Sequence, residues 1–389
     1  MPITDFNDLA IKTGPTIVGP EGKMLNAVQK RAYTQATLIG GRTGPEVFRS
    51  SPNLQDIIYL QKEDRGQRYD PAGLQVDFTN VQVGTETSSK WSHYYNYMAW
   101  SEIEIEQNAP SATGGSYRRT RYKEILQGKQ QNLWQSMIDQ MEDECWAAAD
   151  YDAMRTTYLK PASIPYFITE DDGGLPLDAT ATQVTDVQGL NPNTAGQENW
   201  DNKRGTYSTA GGAVAGGTDI LGQLIRMGVD LHYHSLPIKA EHGERETMTN
   251  VAFCSDYGLG YITSALRIGQ DTWNSREMSQ GGLMINGVAY INIPSLDSAA
   301  LYDDGSSGLK TEQAGEGSGA KVGPRFYFVS PDALKTFFFA GKHFDVDAPV
   351  NLTAAGRPND WIQGANIWNQ MFCTDRRRLG IVSPSGSDL

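Results

Sequence analysis

Residues 116–150 read SYRRTRYKEILQGKQQNLWQSMIDQMEDECWAAAD. Apolar side chains recur at Tyr122, Ile125, Leu126, Leu133, Trp134, Met137, Ile138, Met141, Cys145 and Ala148, close to the helical repeat of about 3.6 residues. Ser116 is a candidate N-cap and no proline interrupts the run. Gly128 costs about 1 kcal/mol against alanine and is tolerated. At about 1.5 Å per residue the rod is roughly 45–50 Å long, far beyond an average globular helix. Arg118, Arg119, Arg121 and Lys123 crowd its first turns, while Glu142, Asp143 and Glu144 sit near its last. Both placements oppose the helix dipole, by a few tenths of a kcal/mol per charge. Either a solvated face, or a basic end that meets a polyanion or an acidic neighbour, accounts for them. A rod of this length beside a long arm suits a subunit that spans and ties to its neighbours.

Upstream, residues 1–50 hold scattered apolar anchors, several Gly-Pro steps and one or two short helical pieces around Met24–Thr37. Such an arm is either disordered or laid across another surface. Asp56–Leu60 reads as a strand and Gln61–Arg68 as a charged turn. Strand alternation then runs through Leu74, Val76, Phe78, Val81 and Val83, and resumes from Trp91 to Glu106. The two runs predict a long antiparallel hairpin ahead of the helix. Trp91, Tyr94, Tyr95, Tyr97 and Trp100 fit a subunit interface or a core. Stacked bases or sugars would need a convergent polar set that the sequence does not place here.

Downstream, Ser163–Ile168 reads as a strand and 171–217 as polar loops with small strands. Thr218 caps a helix through about Tyr233, and a third helix lies near Asp256–Arg267. Leu283–Ile293 reads as a hairpin turning at Asn286-Gly287. After a loop from Asp303 to Gly323, a strand at Phe326–Val329 leads to a helix begun near Pro331 and filled by Leu334, Phe337, Phe338 and Phe339. Arg376-Arg377-Arg378 is the strongest charge run. On an alternating strand its middle arginine would face away from the other two. A salt-bridge role within or between subunits and a nucleic-acid role both fit it.

Composition narrows the function classes. With 389 residues, 39% hydrophobic, 41 glycines and 18 prolines, the chain buries a sizeable core and carries many loops. The formal charge of −13 argues against global coating of nucleic acid, but not against a local basic surface. Eight basic and four acidic residues lie between Lys23 and Arg68. The three cysteines, Cys145, Cys254 and Cys373, are far apart in sequence and read as reduced core thiols of a cytoplasmic product. No signal peptide or bilayer-length apolar run is visible, so no membrane partner is expected. His232, His234 and His242 are better surface or packing residues than metal ligands. The glycine clusters at 211–217 and 315–319 lack the lysine and helix context of a phosphate cradle. Neither a cofactor, a metal nor a catalytic set is expected, and the chain reads as a non-enzyme.

The order of elements resembles the major capsid protein of tailed double-stranded DNA bacteriophages. The local resemblance rests on Phe326-Tyr327-Phe328-Val329-Ser330-Pro331, on Trp368-x-x-x-Phe372-Cys373-x-x-Arg376-Arg377-Arg378-x-Gly380, and on Gly287-Val288-Ala289-Tyr290 with Pro294. It implies an α+β capsid fold with an N-terminal arm (1–50), an extended loop hairpin (51–110), a long spine helix with a peripheral domain (111–235), an axial domain (236–365), and a closing strand and tail (366–389). It further implies self-assembly as hexamers and pentamers into an icosahedral shell of the virion, built in the host cytoplasm, with scaffolding, portal and decoration proteins as possible partners. Packaged double-stranded DNA would be met non-specifically, with Lys23, Lys30, Arg31, Arg118, Arg119, Arg121 and Lys123 as DNA-facing candidates. Trp91, Tyr94, Tyr95, Tyr97, Trp100, Arg376, Arg377 and Arg378 are the inter-subunit candidates. No long cleaved prosequence is expected. The alternative is a carbohydrate-binding or carbohydrate-active protein using its aromatic and carboxylate residues; a simple DNA-binding protein ranks behind it.

Overall fold

A computed structural model describes residues 48–49, 52–59, 84–103, 115–147, 159–169, 186–207, 219–234, 251–269, 283–285, 287–293, 296, 324–343 and 345–384. The long amphipathic stretch forms helix α1, Gly115–Cys145, 31 residues and about 46 Å at the standard rise. It starts one residue before Ser116, which therefore lies inside the first turn rather than capping it. Its end falls short of Asp150. Trp146 and Ala147 donate to the carbonyls of Asp143 and Glu144 at 3.2 and 3.3 Å, three-residue closures that tighten the last turn. No acid sits in the first turn and no base in the last, so packing rather than the dipole sustains the rod.

That packing is against a six-stranded sheet. Its centre is β13 (Asp360–Cys373), 14 residues long. On one side β13 pairs antiparallel with β4 (Ser92–Ser101), from Asp360↔Ser101 to Asn369↔Ser92. On the other it takes β10 (Leu334–Phe339), β11 (Asp345–Val346) and β12 (Val350–Asn351) in turn. β1 (Phe48–Arg49) adds in parallel to β10. Leu126, Leu133, Met137 and Met141 of α1 bury against Met98, Trp100, Phe338, Trp361, Ala365 and Ile367. The helix covers one face of this sheet only.

The second six-stranded sheet has the order β5-β14-β9-β6-β8-β7. Its strands are β5 (Lys203–Tyr207), β6 (Val251–Cys254), β7 (Leu283–Ile285), β8 (Val288–Asn292), β9 (Phe326–Val329) and β14 (Gly380–Pro384). Helices α3 (Ile220–His234) and α4 (Asp256–Gly269) pack on it through Leu224, Met227, Leu231, Ile262 and Ala265. Asp219 stabilises the start of α3 by accepting the Gly222 N–H at 3.0 Å. Gly380 allows α3 to press on β14, because a Cβ there would sit 2.7 Å from the Met227 sulfur. β7 and β8 form the expected hairpin, with Gly287 at φ +80° where the turn needs it. Between the two sheets lies a third core. There Trp146 meets Phe253 and Tyr327 edge-on, at 5.6 and 5.4 Å between ring centroids.

Several expectations are corrected. The second arm of the hairpin is not the Trp91–Glu106 run. β2 (Asn53–Tyr59) pairs with β3 (Gly84–Lys90), and the chain crosses at Trp91 into β4 of the α1 sheet. β4 ends at Ser101, although the sequence alternation continues to Glu106. Leu334–Phe339 is a strand, not a helix. It is sandwiched by α1 on one face and the hairpin base on the other, and a strand buried on both faces loses its alternation. Ser163–Ile168 is one helical turn, α2 (Ile164–Phe167), with Pro165 where no N–H is needed. Arg376–Arg378 forms a 3-10 turn because Asp375 accepts the Arg377 N–H, and the closing strand begins only at Gly380. α3 runs through His234, one residue past the expected end at about Tyr233, so His232 and His234 lie at the helix end as expected. The linear segments are also interleaved. β13 spans the expected boundary at 365, and α3, placed by sequence with the spine helix, packs on the second sheet. Residues 1–47, residues 60–83 with the expected charged turn and the expected strand from Leu74 to Val83, both glycine clusters and His242 lie outside the described residues.

Candidate assembly face

The face of the α1 sheet turned away from the helix is the candidate site. Alternation in β4 sends Tyr94, Met98 and Trp100 toward α1 and His93, Tyr95, Tyr97 and Ala99 outward. The register sets these against Trp368, Asn366, Gly364 and Ile362 of β13. At one end the face is sealed by the base of the β2–β3 hairpin, where Leu54, Trp91, Phe337 and Phe372 form a small core. From there the aromatic run continues into the open. Phe339 meets Trp91 at 5.6 Å and Trp368 at 5.0 Å, and His93 stacks on Trp368 at 4.1 Å with an interplanar angle of 23°. Tyr95 lies across Gly364, where any Cβ would run into its ring and hydroxyl. Tyr95 and Tyr97 remain 53% and 58% exposed. Val350, at the rim of the same sheet, is also exposed.

The five aromatic candidates therefore divide. Trp91 and Trp100 are buried in the subunit, Tyr94 is half-buried against α1, and Tyr95 and Tyr97 face outward. Burial, and then the charge of Glu144, raises the Tyr94 hydroxyl above its ordinary range. Glu144 is itself raised, by burial, against the opposing effects of its Gln140 hydrogen bond and Lys160. The sequence-based choice missed His93, Trp368 and Gly364. Residues 360–373 carry apolar side chains on both alternating sets, Trp361, Ile367 and Met371 on one and Ile362, Trp368 and Phe372 on the other, so no period marks the outward set.

The arginine triplet divides as well. Arg376 is 2% exposed and its guanidinium is committed within this chain. Nε donates to the Phe167 carbonyl at 2.7 Å, Nη1 to the Trp200 carbonyl at 3.3 Å, and Nη2 to Thr169 Oγ1 and Asn202 Oδ1 at 3.1 and 3.0 Å. Burial pushes its pKa down to about 10. Arg377 grips Asp375 through Nε and Nη2 at 2.9 and 3.1 Å. Arg378 is buried beside the same carboxylate at 3.7 Å. Arg118, Arg119, Arg121 and Lys123 lie in the first turns of α1, with side chains outside the described set; Lys23, Lys30 and Arg31 are outside it altogether. Cys145, Cys254 and Cys373 are buried thiols not joined in disulfides, and burial raises the Cys373 thiol. Among the described residues no cluster of three His, Cys, Asp or Glu side chains is set to hold a metal, and no helix is long and apolar enough to cross a membrane.

Similarity to known proteins lies in the fold. A chain of the cyanophage A-1(L) capsid asymmetric unit superposes with a TM-score of 0.52 at 10% identity, covering 92% of this chain and 94% of that one. The chain has a phage-capsid fold. A chain from the capsid of an empty GTA particle agrees, with a TM-score of 0.51 at 7% identity over 97% of this chain and 99% of that one. No protein-family model matches the sequence, and no curated protein matches it. The likeness to phage capsid chains is thus one of overall fold at 7–10% identity, not of shared sequence.

Proposed function

We propose that this chain is a major capsid protein of the tailed-phage kind, a structural subunit that assembles with copies of itself into an icosahedral shell around double-stranded DNA. The observation that carries the reading is the fold-wide likeness to the cyanophage A-1(L) capsid chain, which leaves almost no part of either chain over. The open aromatic face supports it, since an apolar strip ending on two half-exposed tyrosines is the composition of an interface core. In this reading α1 is the spine and the sheet beneath it the peripheral wall. The second sheet forms the axial domain, and the segment beyond β2 and β3 is the extended loop that lies over a neighbour. Hexamers and pentamers, scaffolding, portal and decoration partners, virion localisation after synthesis in the host cytoplasm, and non-specific DNA contacts from the arm and the start of α1 belong to the same proposal. No catalytic role is assigned.

Electron microscopy and sedimentation of the expressed chain, alone and with a scaffolding partner, test it. Closed particles of hundreds of subunits are expected. Monomers or small oligomers under both conditions refute it. The carbohydrate reading loses its motive, because Trp91 and Trp100 are buried in the subunit's own cores.

A further inference from the structure

Among the described residues β4 is an edge strand: it pairs with β13 on one side and with no strand on the other. A ten-residue edge carrying an exposed tyrosine run is a template for unwanted pairing between copies. Antiparallel strands point the main-chain groups of alternate residues to opposite edges. Glu102 donates its N–H inward, to the Asn359 carbonyl at 2.9 Å, so the odd-numbered residues before it present theirs outward. Along this outward edge the chain's own side chains occupy two main-chain groups at the middle of the strand. The Tyr97 N–H donates to Asn96 Oδ1 at 2.9 Å. The Ala99 carbonyl accepts from Lys129 Nζ, reaching down from α1, at 3.1 Å. Past the end of β4, the Ile103 N–H donates to Ser101 Oγ at 3.3 Å and turns the chain out of the strand. Asn96 is also tied to α1, its Nδ2 donating to Ser136 Oγ at 3.4 Å.

The same device recurs on the hairpin. In β2 the Ile57 N–H donates to Asp56 Oδ1 at 2.9 Å. In both strands the capped amide belongs to a strongly exposed apolar or aromatic residue, Ile57 at 59% and Tyr97 at 58%. Those are the positions where an incoming strand would gain most from apolar contact, and an occupied N–H withholds the hydrogen bond that would set its register.

We infer that Asn96, with Lys129, closes the outer edge of β4 against strand addition, so that copies of this chain meet through side-chain faces and not through edge-to-edge β pairing. The inference rests on the capsid reading only for its biological use; the closed edge is a property of the single subunit.

The test uses the purified full-length chain. Hydrogen exchange resolved at the Tyr97 amide should show protection of roughly five- to tenfold over an unbonded amide, the scale of one net hydrogen bond. Asn96→Val should lose that protection, and Asn96→Asp, which keeps an acceptor, should retain it. The double variant Asn96→Val with Lys129→Met, verified as folded by circular dichroism, should form thioflavin-positive aggregates at concentrations where the unmodified chain does not. An unprotected Tyr97 amide in the unmodified chain overturns the inference, as does a folded double variant that stays equally soluble. If the double variant does not fold, the exchange rates of the unmodified chain and of Asn96→Asp decide. Shell formation by the unmodified chain is scored separately, so failure of the capsid reading leaves this result interpretable.

Discussion

Replacing Arg376 by methionine tests whether the clamp beneath the closing strand holds the subunit together. The side chain is 2% exposed and joins four acceptors from α2, the residues after it and the approach to β5. Two of those acceptors keep other donors after the substitution. Thr169 Oγ1 still receives Arg204 Nη2 at 3.3 Å, and Asn202 Oδ1 still receives the Thr169 N–H at 3.2 Å. The Phe167 and Trp200 carbonyls lose the guanidinium, at about 1–3 kcal/mol for each stranded acceptor. Relief from burying a charge offsets part of the loss. The expected net destabilisation is about 2–4 kcal/mol. Arg377→Met is the control, because its guanidinium is 41% exposed on a surface pair with Asp375, where the expected cost is below about 1 kcal/mol. Urea unfolding followed by tryptophan fluorescence reads both, with Trp200 beside the clamp. Equal losses at 376 and 377, or a loss under about 1 kcal/mol at 376, would refute the reasoning.

Met137→Ala removes a fully buried side chain between α1 and its sheet; a loss of about 2–5 kcal/mol in the same assay is expected. Tyr95→Ser with Tyr97→Ser should leave the free subunit within about 0.5 kcal/mol of the parent, since both rings are half exposed. The same pair should sharply reduce particle yield by electron microscopy; unchanged particles would remove this face from the assembly surface. Glu144 is held above the ordinary carboxylate range chiefly by burial. A raised carboxyl favours the folded state below its unfolded pKa, and that contribution disappears as pH rises through the folded value. Glu144→Gln should therefore raise the melting temperature near neutral pH, with the gain closing toward about pH 4. A gain that stays constant across that range would contradict the assignment.

Local periodicity made α1 legible, because Leu126, Leu133, Met137 and Met141 lie on one stripe with no breaker between them. The β4 alternation was equally visible, and so was the Gly287 turn. What failed depended on partners distant in sequence. β4 pairs with a strand some 260 residues later, as the hydrogen bond from Trp361 Nε1 to Glu102 Oε1 across 259 residues illustrates, and no local pattern announces such a match. Without it, local pattern pairs β4 with the nearest earlier strand run. Leu334–Phe339 went wrong for a related reason: with α1 on one face and Trp91 with Phe372 on the other, its apolar run carries no period. The arginine triplet misled because Asp375 bends the chain into a turn before the strand starts, and capping chemistry overrides alternation. Of the candidate face, the sequence singles out Tyr95 and Tyr97 only within a set of five aromatics, and the structure separates the exposed pair. His93, Trp368 and Gly364 required the register.

The central place of β13 also sets a clock on folding. Its residues 360–373 close the sheet that α1 covers, and β14 at 380–384 bridges β5 to β9 in the other sheet. At roughly 5–20 residues per second, a ribosome needs about 13–50 s to go from the end of β4 to the start of β13. For that interval the Trp100 and Met98 face of β4 and the apolar stripe of α1 have no lasting strand partner. A nascent subunit cannot complete either sheet early, so it cannot offer a finished surface to its neighbours before nearly all of these residues have been made. The interval is also when chaperone binding to the chain should be greatest.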